Sequence, residues 1–420
     1  MNPIELTNRL RKARDSRGIS QQSAAEFVGL PRTAITQMEG GNRSVSTLEL
    51  TKLAKLYRYP ISYFLDENPS DEEDINVVLY RAAPSLNEAT QQQIYHYIDL
   101  CKEGIILEKI LDFEPRANLP KYSLPIPKNK GEAVAQGTNV AEQERKRLST
   151  GIGSIADITN LISNQGIWAC SADLPDDVSG LFLNNSKTGL IILVNANHVI
   201  SRKRFSYAHE YAHALFDRDE NIRISSTTNN AEFIEVRANA FAAAFLMPSE
   251  GISEVLRSLN KGKSSRQDQV IFDVSANDKM NAESRSAPYS QNITFQDIAI
   301  IAHHFSVSYQ AAVYRLRSLN IISQQECDQL IAKYQDGKHY LSSLNMFSDL
   351  ENKEGKELWD RELRTELSYL AIEAFRREEI SRGRIIELGD AIGMGGKNLY
   401  EFALATIDNH RAEIKDAKCR

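Results

Sequence analysis

Apolar residues recur every three or four positions through most of this chain, the spacing of one-sided helices. Ile4, Leu6, Leu10 and Ala13 mark a first helix, closed by Gly18. Ser20 is a good N-cap for a second, Gln21 to Phe27, closed by Gly29. Pro31 opens a third that runs through Met38 and Glu39. Leu48, Leu50, Leu53, Ala54 and Leu56 mark a fourth, and Ile61 to Leu65 a short fifth. An acidic linker follows, Asp66 to Asp74, then a strand-like run, Asn76 to Arg81. The stripe Ile94, Tyr97, Ile98, Ile105 predicts a helix from Asn87 to about Phe113, a core element or a dimer seam. Pro115 to Lys130 carries four prolines and reads as an extended connector.

The pattern tightens after Asn139. Helices are expected over Ala141 to Leu148 and Ile155 to Ile162. Two dense apolar runs, Val178 to Leu183 and Leu190 to Val194, predict strands joined by a turn-rich loop. Arg204 to Phe216 and Glu232 to Leu246 are Ala-rich helices, the second ended by Pro248. Residues 257–292 are polar, broken by Val270-Ile271-Phe272, and read as a mobile insertion that either gates a site or idles at the surface. Thr294 caps a helix to His304, and Ser306-Val307-Ser308 leads into another, Tyr309 to Leu319. From 340 onward the chain is charged and helical, with Leu363, Leu367, Leu370, Ala371, Ala374 and Phe375 along one stripe. The fold class is therefore mainly α with a small β-sheet (α+β).

Charge changes the picture locally. The 420 residues carry a net charge of −6, which gives no global case for binding a polyanion. Up to Leu65, however, Lys and Arg number ten against five Asp and Glu. Two short helices joined through Gly29, the second polar at its start, make a helix-turn-helix. Double-stranded DNA is the expected partner; the alternative is a helical protein-interaction module. The four cysteines are widely spaced and form no C-x-x-C pair, so free thiols in a reducing cytoplasm are expected. The N-terminus shows no apolar leader, and no run is apolar and long enough to span a bilayer, so no membrane partner is expected.

The candidate chemistry lies in His209-Glu210-Tyr211-Ala212-His213. On a helix, histidines four apart share one face, so both imidazoles can bind one zinc, and Glu210 is then placed to act on the attacking water. Zinc needs a third protein ligand. Glu235 points with the buried stripe of the second Ala-rich helix, where a carboxylate requires a partner. Asn239, one turn on, can hydrogen-bond a ligating histidine. The bland alternative is a solvated helical His pair. His303 and His304 are further candidates, as a transition-state donor or as ordinary surface or core residues. Gly393-Met394-Gly395-Gly396-Lys397 lacks the spacing and the preceding strand of a phosphate loop and is set aside.

Arg202 to Phe216, followed by Glu235-x-x-Ala238-Asn239-x-Phe241-Ala242-x-x-Phe245-Leu246-Met247-Pro248, resembles the ImmA/IrrE family of zinc metallopeptidases. Phe245 stands where leucine is usual. The resemblance covers roughly residues 138–330 and implies a zincin-like domain that cleaves a repressor-type, helix-turn-helix regulator. Peptidases of this general type can hold substrate along an edge strand; which of the two strands expected here would do so is open. Residues Ser20-Gln21-Gln22, Ala25, Gly29-Leu30, Ile35, Glu39-x-Gly41 and Arg43 resemble the Xre/lambda-repressor family. That resemblance implies that the helix after Pro31 enters the major groove. Arg32, Thr33, Thr36 and Gln37 would then contact bases or phosphates, with Gln21 and Gln22 near the backbone and Arg43 on a phosphate. It also implies a homodimer on a two-fold operator.

The expected organisation is a five-helix helix-turn-helix domain (1–66), a linker and helical connector (67–135), a zinc peptidase domain (136–335) and a C-terminal helical region (336–420). The leading functional expectation is a DNA-binding zinc peptidase acting in transcriptional regulation in response to a signal. The alternative is a repressor or antitoxin-like regulator whose metal site is non-catalytic or senses a ligand.

Overall fold

The computed structural model describes residues 3–57, 59, 64, 88–113, 119–185, 189–219, 222–226, 232–262, 267–273, 278–284, 290–344 and 360–406. The chain divides into two compact units, Met1–Leu86 and Asn87–Arg420. The strand-like run Asn76 to Arg81 lies outside the described residues, as does most of the expected fifth helix, of which only Phe64 is seen, helical and buried.

The first unit contains α1 (Pro3–Ser16), α2 (Gln21–Val28), α3 (Arg32–Glu39) and α4 (Thr47–Tyr57). Ser20 caps α2 by accepting from the Ser23 amide, and Gly29 closes it at φ 81°, a left-handed conformation that glycine adopts without strain. Pro31 sits just outside α3, its carbonyl accepting from the Ala34 amide. One face of each helix meets a common core of Leu10, Ala24, Ile35, Met38, Leu53 and Tyr57.

The second unit begins with α5 (Glu88–Ile110) and α6 (Lys130–Arg147). Helix α6 starts eleven residues earlier than the pattern suggested. Asn129 caps it, and tertiary packing overrides the poor helix propensity of Gly131 and Gly137. At Gly137 a Cβ would lie 2.3 Å from the Arg237 carbonyl oxygen, so glycine lets α6 press onto a later helix. Next come α7 (Ile158–Ser163), β1 (Ile167–Ala172), β2 (Val178–Asn185), β3 (Gly189–Asn195), α8 (Ile200–Phe216), β4 (Ile222–Ser226), α9 (Phe233–Leu246) and α10 (Ser249–Ser258). The sheet order is β1-β3-β2-β4, with β1 parallel to β3 and the other pairs antiparallel. Both anticipated strands, β2 and β3, are therefore interior; the edge strands are β1 and β4, neither of which the sequence pattern flagged.

Helix α8 packs on β2 and β3 on one side and on α9 on the other, and α9 packs along α6. The stretch expected as an insertion holds an antiparallel hairpin, β5 (Gln267–Asp273) and β6 (Asp278–Ser284). Helices α11 (Phe295–Phe305), α12 (Tyr309–Ser318), α13 (Gln324–Ala332) and α14 (Tyr334–Ser343) complete this core, α11 with a full Thr294–Asp297 capping box. The C-terminal region supplies α15 (Arg361–Arg376), α16 (Arg382–Ala391) and a helical run over 396–406. Its stripe Leu363, Leu367, Leu370, Ala371 and Ala374 is buried, and α15 packs on α5 and β1, so this region covers one end of the sheet.

Candidate metal centre

Every residue of α8 from Ser206 to Phe216 is buried. On a helix buried all round, each polar side chain costs free energy unless it finds a partner. On its inner face His209 and His213 meet Glu235 from α9, and one ligand-capable atom from each lies within 4.8 Å of the others. His209 Nε2 is 3.1 Å from His213 Nε2 and 3.1 Å from Glu235 Oε2, and Glu235 Oε1 is 3.6 Å from His213 Nε2.

The outer nitrogens are held as well. His209 Nδ1 donates to Asn239 Oδ1 at 3.0 Å, and His213 Nδ1 donates to Asp217 Oδ2 at 2.8 Å. Each Nδ1–H is thereby fixed, which turns each Nε2 toward Glu235. Asp217 is itself held by Arg237 at 2.5 Å, and the Arg237 guanidinium lies 4.7 Å from the centre of the Phe216 ring. Burial works against charge on His213, but its hydrogen bonds to Asp217 and Glu235 outweigh it and lift the imidazole to about 9. Burial likewise opposes ionisation of Glu235, and its two histidine partners overcome that and hold it well below the usual carboxylate range. Two imidazoles and a carboxylate converging on one buried point suit a single cation, and as a donor set they suit zinc with one position left open.

Glu210 lies beside this cluster, fully buried, with no hydrogen bond of normal geometry to a described residue; the Ser225 hydroxyl is a weak donor to it. Burial pushes its carboxyl up, with the nearby histidines and the Ser225 hydroxyl opposing. Strand β2 passes so close that a Cβ on Gly180 would sit 2.8 Å from Glu210 Oε1, so a side chain there would displace the carboxylate. From edge strand β4, Arg223 donates to Glu235 Oε1 at 2.8 Å, and Ser225, two residues on, places a buried hydroxyl near Glu210 without a hydrogen bond of normal geometry. Asp217, Gly180, Arg223 and Ser225 escaped the sequence reading. Only Asp217, four residues past His213, carried a signal of the same kind as the motif.

Behind the metal face, Tyr211 donates to Glu144 Oε2 at 2.7 Å, and Glu144 also accepts from Tyr122 at 2.8 Å and from Arg147 at 2.8 Å. His303 and His304 lie in the last turn of α11, and neither belongs to the cluster of ligand-capable groups.

In the first unit Arg32, Thr33, Thr36 and Gln37 are exposed along α3, and Gln22 is exposed on α2. Gln21 bridges the two helices: its Nε2 donates to Glu39 at 2.9 Å and its Oε1 accepts from Thr36 at 3.1 Å. Arg14 donates to Glu39 at 2.6 Å and 2.9 Å, fixing the end of α3. Arg43 donates to Glu49 at 2.6 Å, so a carboxylate already engages its guanidinium.

Comparison with known families agrees with this division. Residues 162–275 match the IrrE N-terminal-like domain of the M78 peptidases, and residues 10–64 match a helix-turn-helix family. No curated protein matches the chain. The chain thus combines an Xre-like helix-turn-helix with an ImmA/IrrE-type peptidase domain carrying a His/Glu cluster able to hold a metal.

Proposed function

We propose that this protein is a DNA-bound regulator that carries a zinc peptidase and acts by cutting a repressor-type protein. The observation that carries the reading is the poorly satisfied Glu210 carboxylate beside three converging ligand groups, two of them imidazoles whose outer nitrogens are already held. A purely structural metal site has no use for a buried carboxylate at its edge with so little to satisfy it.

His209, His213 and Glu235 would hold the zinc, with Glu210 outside that set. Zinc bound there supplies Lewis-acid polarisation of the scissile carbonyl and makes water a better nucleophile at neutral pH. Glu210 accepts the proton of the attacking water as its oxygen adds to the carbonyl carbon. The same carboxyl passes that proton to the leaving amine nitrogen as the C–N bond breaks. Its raised pKa suits a group that must both take and give a proton. Asn239 and Asp217 keep the imidazoles oriented, and the Gly180 backbone keeps water out from the β2 side. No described strand lies beyond β4, so a substrate segment would add along it in an extended conformation. The first unit would dock α3 in the major groove of an operator as a homodimer, with Arg32, Thr33, Thr36, Gln37 and Gln22 outward. The compartment in keeping with this is the cytoplasm; no described helix is long and apolar enough to cross a membrane.

A second reading has its own support: His209, His213, Glu210 and Glu235 are each at most 5% exposed, which suits a regulator whose metal is held but not used in catalysis. Glu210→Gln separates the two. In cells under inducing stress, neighbouring helix-turn-helix regulators and the chain itself are followed by intact mass. Fragments are expected in wild type and absent in the variant, with zinc content and operator binding equal. Identical regulation in both, without fragments, would leave the non-catalytic reading standing.

A further inference from the structure

One helical turn from the metal centre lies a cavity of about 630 Å³, a size that suits a small organic molecule and exceeds what one peptide side chain needs. Its floor is formed by α8 and α9. Phe205 precedes His209 by one turn, and Val236 and Asn239 flank and follow Glu235. Helix α12 forms a wall, with Ala311 and the buried Arg315 facing the space.

The lining is mostly apolar, and its charges are of one sign. Arg202 and Arg315 both line the cavity, and no Asp or Glu does. Arg202 is exposed, and its side chain makes no hydrogen bond or ion pair with a described residue; Asp176 is the acidic group whose field reaches it. Arg315 spends Nε on the Met247 carbonyl at 3.0 Å. Burial holds Arg315 down at about 10, and the field of Glu142 opposes it only in part. Two arginines lining an apolar space favour an anion with an apolar body, since a guanidinium makes charge-assisted hydrogen bonds to a carboxylate.

Asn239 belongs to both places. It lines the cavity and accepts the Nδ1 proton of His209. A ligand against it would alter how firmly that imidazole is held.

We propose that this cavity is a regulatory site for a small organic carboxylate with an apolar body, and that its occupancy acts on the metal centre through Asn239. The first half stands apart from the peptidase reading; the second rests on it. Such a site would let one metabolite set the activity of the adjacent centre, and by linkage metal binding would alter affinity for that ligand by the same factor.

The test uses the full chain, first metal-free, with two probes of different shape: decanoate and 1-naphthylacetate. Each is paired with its uncharged counterpart, decanol or 1-naphthylacetamide, and binding is measured by calorimetry. Saturable one-site binding of at least one acid is expected, about tenfold or more tighter than its neutral counterpart. Arg202→Met should weaken it by about the same factor, and Ala311→Trp, which fills the space, should abolish it. Melting curves check that both variants fold. If Ala311→Trp does not, Arg202→Met still decides, because that side chain is exposed. Absence of saturable binding by either acid, or equal binding by wild type and Arg202→Met, would overturn the proposal.

The coupling is read separately as zinc affinity with and without saturating 1-naphthylacetate. A shift of several-fold is expected in wild type and none in Arg202→Met. Ligand binding with unmoved zinc affinity would overturn the link through Asn239. A chain that binds no zinc but binds the acids would overturn the metal reading and leave the ligand site intact.

Discussion

Helices α3 and α8 are each anchored by a buried glutamate, yet they present their polar groups in opposite directions. Glu39 at the end of α3 takes Arg14 and Gln21, and the outward face of that helix leaves Arg32, Thr33, Thr36 and Gln37 in solvent. Glu144 behind α8 takes Tyr122, Tyr211 and Arg147, and the opposite face of that helix aims His209 and His213 inward at Glu235. The difference suits what each is proposed to bind. A small cation is gripped best by groups fixed in a dry site, where each ligand's orientation is set before binding. A polyanion is met by side chains left free to reach, with the scaffold rigid only beneath them.

The sharpest way to break this contrast is to remove a ligand from the inward face. Wild type is expected to hold about one zinc per chain by elemental analysis, and His213→Ala to lose most of it, with operator binding by the first unit unchanged. Full zinc in the variant would sink the assignment of His213.

A smaller effect should come from the groups that orient the ligands. Asp217→Asn leaves all three ligands in place but removes the carboxylate that fixes the His213 Nδ1 proton. Metal affinity is expected to fall about 10- to 100-fold, read by competition with a chelator of known affinity. An unchanged affinity would mean that the α8–α9 packing alone positions the imidazole.

The outward face should respond more gently and with a different signature. Arg32→Ala is expected to weaken operator binding across sequences and to lower the slope of log affinity against log salt by about one. Gln21→Ala should act through α3 instead, by loosening the bridge between Thr36 and Glu39, and leave the salt slope alone. If both variants change the slope equally, the distinction between contact and scaffold at this face is wrong.

How much of each site could be read from sequence follows the same division. The inward site was legible in His209, Glu210, His213, Glu235 and Asn239, because burial and helical spacing coincide there and few residue types can satisfy both. What escaped came from elsewhere in the chain. Arg223 and Ser225 lie on β4, a five-residue strand too short and too polar to show a pattern, and Gly180 matters only because β2 passes over Glu210. Strand β1 is buried at all six positions and so shows no alternation. The outward site was legible as a helix-turn-helix through Ser20, Gly29 and Pro31. The ties of Gln21 and Arg43 to glutamates were not, since they join residues brought together only by the fold. The role of the C-terminal stripe was hidden for the same reason: Leu363 to Ala374 has the spacing of any amphipathic helix, and nothing local says that it covers α5 and β1.

The smallest expected effect concerns the anchor behind α8. Burial alone would push the Glu144 carboxyl up, but hydrogen bonds from Arg147, Tyr211 and Tyr122 outweigh it and hold the group below the ordinary carboxylate range. A carboxylate whose folded pKa is depressed contributes stability that is present above its unfolded pKa, near 4.3, and is lost as the pH falls through the folded value. Glu144→Gln keeps the shape and one acceptor for the tyrosines while removing the charge that Arg147 pairs with. At pH 7 the variant is expected to be less stable by about 1–2 kcal/mol in denaturant melts, with the gap narrowing as pH drops from about 5 toward 3. Both proteins lose stability in acid through their other carboxylates, so the informative quantity is the difference between them at each pH. A gap that stays constant over that window would show that the ionised form of Glu144 contributes nothing beyond its hydrogen bonds. The anchors of α3 and α8 would then differ in kind, one held by an ion pair and the other by neutral hydrogen bonding.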